Sequence, residues 1–253
     1  MDEMFPMMLD EPEPQAIGTG IAYWLFAFLL LPALFSLPMV SGLGLTDDGN
    51  EIWFELGYHA CNFLVILLTF FKYLKNAFFA VWLHFKKIFG TAAICAAIIV
   101  VLKVATVVLS VVCGNALFAE VSFGSLLTTE ADLLFFSTAL IPQEPLWSTV
   151  FVILLAPITV SCLYYGSIFA PVCTSRPWLA YLLAGLTPAL AHLSLVFCLW
   201  SMPQQMAIYL VQVPVHLIAC WSYQKTDTIW TPIFTHMLSN LVLVLLLWVI
   251  GVV

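Results

Sequence analysis

The sequence predicts an all-α fold: a polytopic bundle of transmembrane helices, with about seven spans and one interfacial helix. Of its 253 residues, 63% are hydrophobic and 8% are charged, and the mean hydropathy is +1.08. Soluble domains are about 45–50% apolar and about 25% charged. So few charges cannot cover a globule in water, which excludes a soluble enzyme, a nucleic-acid binder and a disordered chain.

The apolar residues form long, unbroken stretches, which predict membrane-spanning helices. A span needs about 20 apolar residues. Seven stretches qualify, at 18–40, 52–71, 89–113, 146–172, 178–199, 204–222 and 229–251. Between the second and third, the stretch 72–87 mixes lysines with Phe78, Phe79, Trp82 and Phe85. Lysines among aromatic residues are typical of a helix in the membrane interface; the alternative is that these residues extend the neighbouring spans.

The basic residues predict the orientation, because they concentrate on the cytoplasmic side of membrane proteins. With a cytoplasmic N-terminus, six of the seven fall on that side: Lys72, Lys75, Lys86, Lys87, Arg176 and Lys225. Only Lys103 is left, inside the third span, where snorkelling or a place facing water within the bundle is the ordinary explanation. We expect an N-terminus inside and a C-terminus outside.

Four prolines fall inside four successive predicted spans of the C-terminal half. They are Pro157, Pro188, Pro214 and Pro232. A proline in a span frees a backbone carbonyl, which is tolerated only where protein or water satisfies it. This pattern predicts a bundle around a polar cavity.

Two histidines and an asparagine are the polar residues with the most chemical potential in these spans. His236 and Asn240 are four residues apart and share a helix face, and His192 lies at a depth that could place it opposite. Such a set could bind a metal, relay a proton or polarise a carbonyl. The alternative is hydrogen bonding between helices, and the set lacks the third strong ligand of a usual zinc site.

The order of motifs in the C-terminal half resembles the CAAX-protease and bacteriocin-processing (CPBP, formerly Abi) family of intramembrane endopeptidases. The resemblance covers about 145–245. It rests on Ala156-Pro157-Ile158 followed by Gly166, on His192, and on Trp230-x-Pro232-Ile233 followed by His236-x-x-x-Asn240. It implies that 145–253 is a CAAX-protease-like core, after an acidic cytoplasmic tail at 1–15 and N-terminal helices with an outer connection at 16–144.

The resemblance implies catalytic positions for this chain, and only some keep the family's residues. The two family histidines fall on His192 and His236, and the third motif is complete with Asn240. The first motif of the family, Glu-Glu-x-x-x-Arg, falls on Val160, Ser161 and Tyr165. Every charged residue of that motif is therefore lost.

This loss implies a pseudoprotease, because a water molecule needs a base or a metal to become a nucleophile near neutral pH. Loss of a general base usually costs about 10²–10⁴-fold in rate. Whether the enzyme is active therefore stays open. Two alternatives are a Ser161 or Cys162 nucleophile paired with His192, and a divalent metal at His192 and His236; otherwise we expect no cofactor.

The leading hypothesis is a non-catalytic, CAAX-protease-like protein of the cytoplasmic membrane of a prokaryote. It would act as a scaffold, an accessory subunit or an immunity-type protein that binds another membrane protein or a peptide. The alternative is an active endopeptidase with a non-standard base. We expect the bilayer and a membrane partner, not nucleic acid, to be its contacts, with the outer segment 114–145 as the contact point. His216 could face the same polar cavity as His192, although a structural role accounts for it equally well.

Overall fold

The computed structural model describes residues 12–30, 51–113, 145–196 and 202–249. Within these ranges the chain is helical, without a β-strand, so the predicted all-α fold is confirmed. The helices are α1 (Pro14–Trp24, continued by a π-helical turn Leu25–Leu30), α2 (Glu51–Leu83), α3 (Phe85–Cys113), α4 (145–173), α5 (Pro177–Val196), α6 (Met202–Thr226) and α7 (Trp230–Val249).

Within the described ranges, three helices are long and apolar enough to cross a membrane, by length and composition. The stretches are Ala60–Leu83 in α2, Phe85–Thr106 in α3 and Phe151–Cys173 in α4, and α7 contains a shorter apolar stretch, Trp230–Leu246. The count of seven spans therefore stays a prediction, as do the domain boundaries. The predicted outer contact at 114–145 lies almost wholly outside the described residues.

The predicted separate interfacial helix at 72–87 is wrong as an element. Lys72 to Leu83 complete α2, and Lys86 and Lys87 lie in the first turn of α3. The backbone N–H of His84 donates to the carbonyl of Ala80, and that of Ile88 donates to the carbonyl of His84. Because helical hydrogen bonds cross the bend, these residues extend the neighbouring helices, which was the alternative.

Helix α4 contains two π-helical segments, Phe151–Leu155 and Ser161–Phe169, joined by the α-helical segment Ala156–Val160. Each π segment is followed directly by an Ala-Pro pair, at Pro157 and Pro171. A proline cannot donate to the carbonyl four residues earlier, and its ring pushes that carbonyl away. The wider π turn accommodates this, and such bulges are common at functional sites.

Helix α4 is the central element, because α1, α2, α5, α6 and α7 pack against it, whereas α3 packs against α6 and α7. Tyr164, Tyr165 and Phe169 are almost completely buried. Trp24 of α1 donates its indole N–H to the Tyr164 hydroxyl across 3.1 Å. The Phe169 ring packs against Tyr223 of α6, with centroids 5.9 Å apart. The motif-one positions therefore lie in the interior of the bundle.

The segments that carry the six basic residues expected on one side meet at one end of the bundle. Tyr181, five residues after Arg176, donates to Gln224, next to Lys225. Lys72 forms an ion pair with Glu13, just before α1. Partial burial raises the pKa of Asp227, between α6 and α7, and nearby Lys87 opposes that rise. The Trp230 indole N–H donates to the carbonyl of Leu74, which joins the segment that carries Lys72 to the segment that follows Asp227. Which side of a membrane this end faces stays a prediction.

Gly20 allows α1 to approach α4 closely. A Cβ at this position would overlap the Ser167 hydroxyl and lie 3.0 Å from the Phe70 ring. We expect Gly20→Val to lower the free energy of unfolding by about 1–3 kcal/mol, the usual cost of overpacking. Gly18→Val is the matched control, since it lies in the same helix with nothing within 4 Å. Equal shifts of the melting temperature in detergent would contradict this packing.

Candidate functional site

The Tyr165 hydroxyl joins three helices at the centre of the bundle. It lies 2.7 Å from Nδ1 of His216 on α6 and 2.9 Å from Nε2 of His236 on α7. All three side chains are buried, with exposed fractions of 0%, 0% and 2%. The structure therefore brings together one position of the degenerate first motif, one retained histidine and a histidine for which the sequence predicted no defined role.

These distances constrain the protons of the three groups. A phenol carries one hydrogen and can donate to only one of the two imidazoles. The other imidazole must then donate its own N–H to the phenolic oxygen. When both are neutral, His216 and His236 hold their protons in a coordinated arrangement set by Tyr165. Neither nitrogen that faces Tyr165 is available as a base without breaking this chain.

Val160 and Asn240 lie beside His236 at a small cavity, with Ala156 and Pro157 completing its wall. The space open to the centre of a water molecule is about 10 Å³, which is room for about one water. Asn240 donates from Nδ2 to the carbonyl of Val152 across 3.0 Å. The wall therefore presents the methyl groups of Val160 where the resemblance places a family glutamate.

A second set of polar residues, which we call the second layer, lies four positions from the first along the same three helices. Tyr165 of α4 contacts His216 of α6, and Phe169, four residues later in α4, contacts Tyr223, seven residues later in α6. Helices α4 and α6 therefore run in the same direction. The Asn240–Val152 bond shows that α7 runs opposite to α4. Four residues along, away from the basic end, the positions are Ser161, Gln212 and Asn240.

This second layer is also buried, with exposed fractions of 0% for Ser161, 0% for Gln212 and 3% for Asn240. The Ser161 hydroxyl, both amide atoms of Gln212 and the Asn240 carbonyl oxygen have no hydrogen-bond partner among the described residues. Buried polar groups without partners are costly. These atoms can therefore bind a polar group that enters the bundle.

His192 occupies α5, four residues after Pro188, and the structure describes its backbone position. Gly185 of α5 packs against Leu217 of α6, next to His216. Since His192 is seven residues beyond Gly185, it lies roughly 10 Å further along the helix axis. The imidazole that meets Tyr165 and His236 is that of His216, and the role of His192 stays a prediction.

Among the described side chains, His, Cys, Asp and Glu do not gather in a group of three or more that could hold a metal. His216 and His236 give two imidazoles, and the usual zinc site has three or four protein ligands. These two side chains alone therefore do not complete a zinc site.

Comparison with known families places this site in a recognised segment. The family model for Rce1-like proteins, described as type II CAAX prenyl endopeptidase Rce1-like, matches residues 142–242. These residues form an Rce1-like domain. The predicted resemblance to the CAAX-protease family is thereby confirmed for this segment, which is less than half of the chain. Curated proteins and solved structures gave no match.

The Rce1-like domain contains both layers of the site, from Ser161 to Asn240. With its apolar helices, it identifies the chain as a helical membrane protein. The sequence analysis left His216 between a cavity residue and a structural residue, and it did not single out Gln212. Their spacing of four residues puts them on one helix face, and Pro214 stands between them. That spacing was the available signal.

The Tyr165 hydroxyl supports two histidines, so its loss is expected to be costly. We expect Tyr165→Phe to lower the free energy of unfolding by about 1–3 kcal/mol, because buried imidazole nitrogens lose their partner. Tyr181→Phe is the matched control, since this half-buried tyrosine donates to Gln224 near the surface. Melting temperatures in detergent measure both. A smaller loss at Tyr165 than at Tyr181 would contradict the bridging role.

Proposed function

We propose that the chain is a non-catalytic, CAAX-protease-like membrane protein that binds another membrane protein or a peptide. The observation that carries this proposal is the Tyr165 bridge. The position that the family fills with an arginine holds a tyrosine whose hydroxyl engages His236. A retained catalytic histidine is thereby part of a structural hydrogen-bond network.

The surroundings of His236 support the same conclusion. Val160 is almost completely buried and lines the cavity beside His236. An apolar side chain cannot accept a proton from water, whereas a general base contributes about 10²–10⁴-fold to such reactions. The Asn240 side chain donates one amide N–H to the backbone carbonyl of Val152. The residues that would activate water and stabilise an oxyanion are thus replaced or occupied.

Binding is supported by the second layer of polar groups. The carboxamide of Gln212 offers a donor and an acceptor, and Ser161 offers a buried hydroxyl. A peptide group or a polar side chain of another membrane segment has the complementary donors and acceptors. A scaffold, an accessory subunit and an immunity-type protein all use binding of this kind. We place it in the cytoplasmic membrane of a prokaryote, with the basic end inside.

An active endopeptidase with a non-standard base is the second candidate. Two observations favour it: His236 and Asn240 keep the family pattern, and the cavity that they line has room for about one water molecule. In such an enzyme, Nδ1 of His236 would be the base, while Nε2–H of the same ring would donate to the Tyr165 hydroxyl, which would position it. The two candidates differ in whether the wild-type chain cleaves peptides at all.

Cleavage is tested with the full chain in proteoliposomes and fluorogenic peptides with a prenylated CAAX end or without one. We expect the wild type and His236→Ala to be equally inactive. We expect Val160→Glu with Ser161→Glu to introduce slow cleavage that disappears on adding His236→Ala, because it restores a carboxylate beside His236. The matched control is Val160→Gln with Ser161→Gln, which adds similar volume without a base. If the double glutamate variant fails to fold, Val160→Glu alone replaces it.

Cleavage by the wild type that depends on His236 would overturn the pseudoprotease proposal and establish the second candidate. No cleavage by folded glutamate variants, together with an inactive wild type, would mean that Tyr165 has closed the site to water.

Binding is tested by native mass spectrometry of the full chain, extracted in mild detergent from the membranes of its source and weighed against its mass of 28.1 kDa. We expect a protein partner in fixed stoichiometry. We expect His192→Ala to keep that partner, since the proposed binding does not use a catalytic imidazole. A chain that carries no partner, or loses it only with His192→Ala and His236→Ala, would contradict the scaffold proposal.

A further inference from the structure

The bend between α2 and α3 exposes an unusual set of side chains. We call Lys75, Phe79, Trp82, Leu83, Phe85 and Lys86 the junction surface. Its large apolar members are widely exposed, from 54% for Phe85 to 75% for Trp82. Aromatic side chains of this size lose the benefit of burial when they face water. The surface therefore needs an apolar covering.

The opposite side of the same segment is firmly held in the protein. Tyr73, Leu74, Ala77, Val81 and Ile88 are all buried, at the spacing of three to four or seven residues that marks one helix face. The Trp230 indole bonds to Leu74 and packs on the Phe78 ring, with centroids 5.0 Å apart. The junction surface is consequently presented outward from an anchored helix.

The position of the junction surface relates it to a bilayer boundary. The two apolar stretches Ala60–Leu83 and Phe85–Thr106 meet at the bend. Trp and Tyr collect where spans reach the headgroup region, and lysines extend from there toward water. A surface with aromatic residues and lysines at the meeting point of two spans suits that region of a membrane.

The charge of the junction surface determines which kind of lipid headgroup it can bind. No acidic residue occurs between Glu55 and Glu120, whereas five of the seven basic residues lie in that interval. Lys72 pairs with Glu13, and Lys87 acts on Asp227. Lys75 and Lys86 are exposed and form no ion pair within the described parts of the chain. Their charges are thus available to a ligand.

We propose that the junction surface binds anionic phospholipids, with Lys75 and Lys86 contacting the phosphates and Trp82 and its aromatic neighbours inserted among the acyl chains of the same leaflet. A lysine near an anionic membrane surface contributes roughly a fivefold gain in association. Two lysines therefore provide a preference on the order of tenfold or more for anionic over zwitterionic lipid. This binding does not depend on whether the Rce1-like domain cleaves peptides.

The test uses the full chain in nanodiscs and electron paramagnetic resonance of spin-labelled phosphatidylglycerol and phosphatidylcholine. We expect the wild type to prefer phosphatidylglycerol, with a preference that weakens as salt is added. Lys75→Gln with Lys86→Gln should remove most of that preference. The matched control is Arg176→Gln with Lys225→Gln, which removes two exposed charges at the same end of the bundle and should keep it.

Equal association of the two lipids with the wild type would overturn the proposal. So would an equal loss in both double variants, since that would reflect the general potential of the basic end. A second measurement follows Trp82 directly: brominated phosphatidylglycerol should quench more of the fluorescence of the wild type than of Trp82→Phe. Identical quenching would show that Trp82 does not contact this lipid.

Discussion

The structure depends on one requirement: a polar group buried in an apolar bundle needs a hydrogen-bond partner. Leaving such a group unpaired costs roughly 2–7 kcal/mol, depending on the reference state. The Tyr165 hydroxyl meets this requirement for His216 and His236 together. Because these residues belong to α4, α6 and α7, the bond pattern also fixes how the three helices meet. The site and the packing of the bundle therefore share one interaction.

This interaction explains how the chain tolerates the loss of its charged motif. A buried carboxylate and a buried arginine each need a matched partner, and removing one of them leaves an uncompensated charge. With Val160 and Tyr165 in place of both, the described residues that line the cavity beside His236 or bond to it include no carboxylate and no guanidinium group. The exchange leaves no carboxylate at Val160 and gives the two histidines an uncharged partner in Tyr165. Val160 and Tyr165 are thus compatible with each other, because neither leaves a buried charge without a partner.

Much of the site could be predicted from the order of motifs in the sequence. The spacing of His236 and Asn240 and the positions of Val160 and Tyr165 followed from motif comparison. The structure places Val160, His236 and Asn240 at the cavity and joins Tyr165 to His236 by a hydrogen bond. The opposing histidine was different. By sequence, His192 and His216 both lie inside predicted spans, and only the packing of α6 against α4 brings His216 to Tyr165.

The sequence by itself determined that the chain is helical, apolar and suited to a membrane, because composition and long unbroken apolar stretches leave no other way to satisfy the backbone. It also determined that the first motif has no charge. Tertiary structure alone decided the rest. The packing of α4 against α6 and α7 places the Tyr165 hydroxyl between His216 and His236, and it brings the Asn240 carboxamide to the Val152 carbonyl. Such alignments depend on contacts between distant residues, which local periodicity does not encode.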